Sequence, residues 1–342
     1  MNKPVPSDGE TTVLTETTVQ PDEQLEDVAL RPRGFAEFIG QAETKRNLDL
    51  VIRAAKERNQ APEHMLLYGP PGLGKTSLAH VAATELAVPI RITSGPALER
   101  TGDIASILSS LQEGELLFID EIHRLQRPVE EMLYSAMEDF ALDLVLGKGV
   151  AAKTMRLQLP RFTLIGATTR IGQLSAPLRD RFGAHFHLDF YETSELQQLL
   201  LTSATRLSVQ LDEPGALVIA ARCRRTPRIA NRLLRRVRDY AQVHRLDLIT
   251  RGVAERALSL LNIDQYGLDR LDRRLLAVMV QQFDGGPVGL STLSAALGED
   301  ADTIEDVYEP FLIREGFLLR SPRGRIATSK AIGLVHSDGV GA

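Results

Sequence analysis

The first half of the chain alternates between short apolar runs and amphipathic stretches. Residues 65–68, 116–119 and 162–167 form mostly apolar runs, residues 186–190 are the final strand candidate, and residues 44–58 carry apolar side chains at helical spacing. Short apolar runs bounded by polar residues predict buried strands, and the longer periodic stretches predict helices. Because strands and helices alternate, we predict an α/β fold with a doubly wound parallel sheet.

After residue 192 the pattern becomes helical. The last third predicts helices over 266–283, 290–297 and 303–316, then two short strands joined by a turn at residues 321–324. Helices followed by a hairpin predict a winged helix. We therefore expect five parts: a tail over 1–25, a large α/β domain over 26–191, a small helical lid over 192–262, a winged-helix head over 263–330 and a tail over 331–342.

Composition limits the class of protein. The 342 residues are 43% hydrophobic and 25% charged, which is typical of a globular protein with more than one domain. No apolar run reaches membrane-spanning length, and the N-terminus lacks the apolar core of a signal sequence. The single cysteine, Cys223, excludes an internal disulfide and suits a reducing cytosol. We therefore expect a cytoplasmic protein that does not contact a membrane.

One loop identifies the chemistry. Gly69–Thr76 fits G-x-x-x-x-G-K-[ST], the phosphate-binding P-loop, and it lies between a predicted strand and a predicted helix. In that arrangement Lys75 reaches the β- and γ-phosphates of a nucleotide, and the Thr76 hydroxyl ligates Mg²⁺. The alternative is a turn with a solvated lysine, but the strand, the spacing, the Lys-Thr pair and the helix all favour the P-loop.

Polar residues at the ends of two later strands complete the predicted site. Asp120 and Glu121 follow the run at 116–119, as in a Walker B motif. We assign Asp120 to Mg²⁺ and Glu121 to polarising the attacking water. Thr168 ends the next strand, and its hydroxyl is our candidate for sensing the γ-phosphate or positioning water. The alternative for the acidic pair is a helix cap.

Two hairpins are candidate contact surfaces. Residues 142–159 predict a projecting hairpin whose Met155, Leu157 and Leu159 either bind a partner or pack on their own domain. Residues 311–330 contain five Lys or Arg and one Glu, and we expect their hairpin to bind the DNA backbone. The arginines expected to project together from its tip are Arg320, Arg323 and Arg325. The alternative is a solvated turn.

Six segments together closely resemble the RuvB family, the bacterial AAA+ motors of Holliday-junction branch migration. They are Gly69–Thr76, Leu117–Leu125, Gly166–Arg170, Thr226–Arg232, Gly285–Leu290 and Pro322–Arg325. The resemblance runs from about Val28 to Thr328. It implies ATP hydrolysis with Mg²⁺ by a homohexamer around double-stranded DNA. It also implies docking of RuvA, the junction-binding protein, on the 142–159 hairpin, with the resolvase RuvC as a further partner.

The resemblance also assigns residues. Those implied at the nucleotide are Leu30, Arg31, Gly72, Lys75, Thr76, Ser77, Tyr191 and Arg228. The segment Glu138, Asp139 and Phe140 lies near it in the family pattern. Arg181 matches the arginine finger supplied to the neighbouring subunit, with Arg179 as the competing candidate. Arg320 and Arg325 match DNA contacts of the wing.

The chain departs from the family at Cys223-Arg224-Arg225, where a small residue and then a glycine usually precede Thr-Pro-Arg. Another class of protein shares the architecture, namely an AAA+ winged-helix switch such as an origin initiator or clamp loader. The wing, lid and hairpin motifs favour the motor. Glu121 and Arg181 are hydrolysis groups, which disfavours a purely structural ATP-binding protein.

Overall fold

A computed structural model of the protein describes residues 29–146 and 153–338. They group into two compact units. One contains residues up to Glu195 together with Thr226–Arg228, and the other contains Leu196–Arg225 and the residues from Ile229 onward. The expected tail over 1–25 and the middle of the expected hairpin, residues 147–152, lie outside the described residues.

The first unit is built on a five-stranded parallel sheet in the order β2-β3-β6-β1-β7. Its strands are β1 Met65–Tyr68, β2 Ile90–Ser94, β3 Leu116–Asp120, β6 Thr163–Thr168 and β7 Ala184–His187. Its helices are α1 Ala42–Glu57, α2 Lys75–Leu86, α3 Thr101–Ser109, α4 Arg127–Asp139 and α5 Ala176–Arg179. Helices cover the sheet, so its central strands are apolar on both faces. This confirms the predicted α/β fold.

The last strand begins earlier than the sequence predicted. We expected it over 186–190, but β7 covers Ala184–His187 because it pairs with β1, which has only four residues. Its register, with Met65 opposite Ala184 and Tyr68 opposite His187, is set by that neighbour. Periodicity within the segment carried no information about the length of its partner.

Two antiparallel strands, β4 Ala141–Leu146 and β5 Lys153–Gln158, form the expected hairpin beside the sheet. The sequence left open whether its apolar face binds a partner or packs on its own domain, and the structure shows that different residues of this face differ in exposure. Leu159 lies in the hydrophobic core and Leu157 packs against it, whereas Met155 is 45% exposed. Only the outer part of this face is therefore available to a partner.

The second unit is helical with one small hairpin. The lid helices are α6 Thr193–Arg206, which starts in the first unit, α7 Glu213–Arg222, α8 Pro227–Val243 and α9 Arg251–Leu260. The winged helix comprises α10 Arg270–Phe283, α11 Leu290–Leu297, α12 Ala301–Thr303, a π-helical turn Ile304–Tyr308, α13 Glu309–Arg314, β8 Leu318–Ser321, β9 Gly324–Ala327 and α14 Ser329–Asp338. The predicted winged helix is confirmed.

The expected tail over 331–342 is wrong for residues 331–338. They belong to α14, whose Ala331 and Val335 lie four residues apart on one face and are buried in the winged-helix core. Within the described part of the chain, no helix combines the length and the apolar character needed to cross a membrane.

Candidate nucleotide site and wing

The P-loop joins β1 to α2 at the carboxyl edge of the sheet. Gly69 has φ 144°, and a Cβ on it would lie 2.3 Å from the Leu188 carbonyl oxygen, so the loop requires glycine there. Gly74 is the left-handed N-cap of α2, with φ 96°. The first backbone N–H groups of a helix have no acceptor within it and carry its positive dipole end. The loop therefore fits a phosphate group.

Lys75 is buried inside this loop. Its Nζ donates hydrogen bonds to the carbonyl oxygens of Gly69 at 2.8 Å and Pro70 at 2.9 Å. Burial lowers the pKa of Lys75 to about 8, although the nearby Glu121 and Asp120 carboxylates oppose the shift. A phosphate beside this ammonium group would raise the pKa of Lys75 further, because an anion favours the charged form.

Oxygen ligands for a divalent cation meet next to the loop. Thr76 Oγ1 lies 3.5 Å from Asp120 Oδ2, and hydroxyl and carboxylate oxygens are the ligands that Mg²⁺ prefers. Burial, and then the neighbouring Glu121 charge, raises the pKa of Asp120. A bound cation would offset both effects, so these residues fit Mg²⁺.

Glu121 has an unusual backbone and a firmly held side chain. Its φ of 47° and ψ of 46° are left-handed, which is uncommon for a residue other than glycine and concentrates at functional sites. Oε2 of its carboxylate accepts a hydrogen bond from Thr169 Oγ1 at 3.1 Å and lies 3.2 Å from His123 Nδ1. The carboxylate therefore has a defined orientation next to the P-loop.

The two adjacent threonines at the end of β6 have different contacts. Thr169 contacts Glu121, whereas Thr168, our candidate sensor, is fully buried with Oγ1 2.9 Å from His123 Nδ1. Thr168 Oγ1 also accepts the Arg170 N–H at 3.0 Å. Sequence reasoning missed both Thr169 and His123. The sequence offered one signal that His123 lies near the site, namely its position two residues after Glu121.

Segments distant in sequence surround the P-loop. The Arg228 N–H donates to the Gly72 carbonyl at 3.3 Å, and its side chain is exposed. The hydroxyl of Tyr191 donates to the Leu73 carbonyl at 3.3 Å. On α2, which begins with Lys75, Thr76 and Ser77, His80 Nε2 lies 2.7 Å from Arg31 Nη1. Leu30, beside Arg31, is buried.

Arg181 contacts a different set of residues. Its guanidinium donates to the Pro177 carbonyl at 2.7 Å, pairs with Glu138 at 2.9 Å and lies 4.4 Å from the Tyr134 ring centroid. Its Nε is buried without a hydrogen-bond partner among the described residues. The predicted segment Glu138–Phe140 is thus grouped with Arg181 through Glu138. Asp139 instead pairs with Arg156 at 2.6 Å, and Phe140 packs edge-on against Phe162.

The sequence predicted that the three wing arginines project together from the hairpin tip, but in the structure they do not. Arg320 and Arg323 are exposed, but Arg325 is 7% exposed and its Nε donates to Glu309 Oε1 at 2.5 Å. Arg325 lies opposite Arg320 across the hairpin, and Arg320 pairs with Glu305. The prediction was wrong for Arg325 because a carboxylate 16 residues away on α13 holds its guanidinium inside the domain.

Comparison with known proteins matches nearly the whole chain. Three family models match in succession: the Holliday junction DNA helicase RuvB P-loop domain over residues 30–188, the RuvB AAA lid domain over 191–264 and the RuvB C-terminal winged helix domain over 265–336. The RuvB subunit of the Holliday junction branch migration complex from Streptomyces avermitilis is 57% identical over 310 residues, which are 91% of this chain and 87% of that protein. The chain belongs to the RuvB family.

Further RuvB relatives agree. The subunit from Dehalococcoides mccartyi is also 57% identical, over 91% of this chain and 89% of its own length. The solved structure of the Thermotoga maritima RuvB Holliday junction branch migration motor aligns with a TM-score of 0.82 and 48% identity, covering 90% of this chain and 98% of that one. The chain is accordingly a nucleotide-binding AAA+ ATPase with the RuvB lid and winged helix.

The departure from the usual RuvB pattern has a structural explanation. Arg224 and Arg225 have φ of 53° and 57°, the left-handed conformation that glycine adopts most easily. The Arg224 guanidinium is buried and bonds to Asp269 at 2.7 Å and Asp272 at 2.5 Å. It also lies 5.0 Å from the Phe311 ring. These contacts compensate for a backbone conformation that costs a non-glycine residue about 1–2 kcal/mol.

Proposed function

We propose that this protein is the ATP-driven motor of Holliday-junction branch migration, which moves double-stranded DNA through a homohexameric ring in the bacterial cytoplasm. The main support is the division of the hydrolytic groups into two sets. Lys75 and Thr76 belong to the P-loop and Asp120 and Glu121 lie beside it, whereas Arg181 contacts Pro177, Glu138 and Tyr134. An arginine presented apart from its own P-loop can complete the site of a neighbouring subunit.

The residues then have distinct roles in hydrolysis. Thr76 and Asp120 would hold Mg²⁺, which when bound neutralises charge on the β- and γ-phosphates. Lys75 binds those phosphates, and the P-loop N–H groups orient them. Glu121 accepts a hydrogen bond from the attacking water and aligns it with the γ-phosphorus. The neighbouring subunit's copy of Arg181 stabilises the charge of the transition state, and ADP and phosphate leave.

The nucleotide cycle has a direct connection to the lid. Arg228 lies in the first turn of α8, and the Arg228 N–H donates to the P-loop carbonyl of Gly72. Loss of the γ-phosphate would change the charge facing Arg228 and so the position of that helix. We propose that this movement drives the winged helix along DNA, with Arg320 and Arg323 gripping phosphates without reading bases.

Two partners complete the proposal. RuvA would dock on the β4–β5 hairpin, where Met155 offers an exposed apolar side chain. RuvC would join the same complex at the junction to cleave it. The names of the relatives, subunits of a branch migration complex, support an assembly of this kind.

Mixed rings test the shared site. Lys75→Ala subunits lose nucleotide binding and Arg181→Ala subunits lose the finger, so each ring alone should be inactive in a four-strand branch-migration assay with RuvA. Arginine fingers contribute roughly 10³–10⁵ to turnover. Mixing the two should restore part of the activity, because some interfaces regain both groups. Arg179→Ala, a nearby arginine on α5, is the matched control and should remain active alone.

Two outcomes would contradict the proposal. If mixed rings form, as shown by native mass spectrometry, and no activity returns, Arg181 does not act on a neighbour. If the wild-type protein hydrolyses ATP slowly and junction DNA with RuvA does not accelerate it, the protein is a switch of the initiator or clamp-loader type.

A further inference from the structure

A buried histidine lies behind the Walker B glutamate. His123 belongs to a short 3₁₀ turn, Ile122–Arg124, immediately after Glu121, and its side chain is 7% exposed. Its Nδ1 lies 3.2 Å from Glu121 Oε2 and 2.9 Å from Thr168 Oγ1. The imidazole thus connects the glutamate that faces the water to the end of the neighbouring strand β6.

The surrounding acceptors determine which ring nitrogen carries the hydrogen. An ionised carboxylate can only accept hydrogen bonds, so the nitrogen 3.2 Å from Glu121 Oε2 is favourable only as Nδ1–H. Thr168 Oγ1, which accepts the Arg170 N–H, lies 2.9 Å from the same nitrogen and can accept a share of the same Nδ1–H. We assign the Nδ1–H tautomer from these contacts.

We propose that His123 is a positioning residue for ATP hydrolysis. Its Nδ1–H and the Thr169 hydroxyl both engage Oε2 of Glu121, which leaves Oε1 as the oxygen that faces the attacking water. Two donors on one oxygen restrict rotation of the carboxylate, and the buried Thr168 restricts rotation of the imidazole. Holding a reacting group in one geometry can lower the activation barrier by a large part of the total reduction that an enzyme achieves. The inference rests on ATP hydrolysis alone, not on branch migration.

Three substitutions separate positioning from packing. The amide nitrogen of His123→Asn can occupy the place of Nδ1, whereas that of His123→Gln reaches the place of Nε2, and His123→Phe fills the space without a donor. The measurement is steady-state ATPase without DNA or RuvA, with ATP affinity from a fluorescent analogue and a melting curve for each variant. We expect His123→Asn to keep kcat within a few-fold. His123→Gln and His123→Phe should lose about ten- to hundredfold in kcat with KM unchanged, a part of the 10²–10⁴ that a positioned acid–base group contributes.

A packing role predicts the opposite order, because Gln and Phe are closer to His in size than Asn. Equal activity of the Phe and wild-type proteins would therefore overturn the proposal, as would a loss confined to KM. A double-mutant cycle adds a second criterion. In single-turnover experiments on Glu121→Gln, adding His123→Gln should cause no further loss, since His123 acts through that carboxylate. A further tenfold loss would show that it acts elsewhere.

Thr168→Val keeps the test decisive if the His123 variants fold poorly. Valine preserves the buried shape and removes the hydroxyl that holds the imidazole. We expect a several-fold loss of kcat, an unchanged KM and no loss in the Glu121→Gln background. An unchanged kcat in a folded Thr168→Val protein would refute the proposed chain of contacts.

Discussion

Raising the pH from 7 to 9 should weaken ATP binding, because Lys75 loses its proton in that interval. Burial in the P-loop lowers the pKa of Lys75 to about 8, against an ordinary value of 10.5. The nucleotide phosphates bind the charged form, so the protonated fraction is the binding-competent fraction. That fraction is about nine-tenths at pH 7 and about one-tenth at pH 9, so affinity should fall about tenfold.

The sign follows from the direction of the shift. A lysine with a lowered pKa is charged below pH 8 and increasingly neutral above it. Bound phosphate raises the pKa again, so ATP binding at pH 9 takes up a proton. A lysine with an ordinary pKa would stay charged throughout, and affinity would hardly change between pH 7 and 9.

The assay is a titration with a fluorescent ATP analogue at pH 7, 8 and 9 and constant ionic strength. Calorimetry in two buffers of different ionisation enthalpy measures the proton taken up. Lys75→Arg is the matched control, since arginine stays charged at all three values. A flat wild-type profile would refute the reasoning, and so would an equal fall in Lys75→Arg, because the titrating group would then lie elsewhere.

Four further predictions concern the other parts of the chain. Arg224→Met should destabilise the second unit by about 3–5 kcal/mol, measured by urea unfolding, because it leaves buried carboxylates without their partner. Met155→Asp should keep partner-free ATPase but lose its stimulation by RuvA, measured as turnover on junction DNA, because a charge is placed in an apolar contact. Arg320→Ala and Arg323→Ala should each lower the salt slope of DNA binding by about one, measured on two unrelated duplexes. Arg325→Ala should instead lower the melting temperature, since Glu309 remains buried.

Controls from the same regions make these tests specific. Arg245→Gly changes an exposed arginine that also has a left-handed backbone, with φ of 54°, and its stability should stay within about 1 kcal/mol of wild type. Leu50→Asp places the same charge on an exposed apolar position of α1 and should retain stimulation by RuvA. Equal losses in variant and control would contradict the assigned contact. A sequence-selective loss of DNA binding would show that the wing reads bases.

Groups that are close in sequence were predictable. The P-loop, from Gly69 to Lys75 and Thr76, is one continuous segment whose backbone forms the phosphate cradle. Asp120 and Glu121 directly follow a buried strand, so their place at the carboxyl edge of the sheet follows from the fold class. Arg228 was predictable because proline follows an N-cap threonine at the start of its helix.

Contacts between distant segments were not predictable in the same way. Thr168 was assigned from its place at the end of a strand, but its hydroxyl contacts His123, 45 residues away. Which of two adjacent threonines meets the glutamate depends on the twist of β6 against β3. Likewise, the turn that Arg320 and Arg325 flank predicted that both project from the hairpin tip, but only the packing of α13 shows that Glu309 buries Arg325.

The element types, the P-loop and the Walker B carboxylates can be predicted from the sequence, because backbone periodicity and turn chemistry are local. The family follows from motifs that extend from the P-loop to the wing. Which side chains are available at the surface depends on tertiary packing. Met155 is exposed while Leu159 is core, and Arg224 is buried although arginine usually faces water. Burial and hydrogen bonding depend on partners brought together by packing, and those partners lie tens of residues away along the chain.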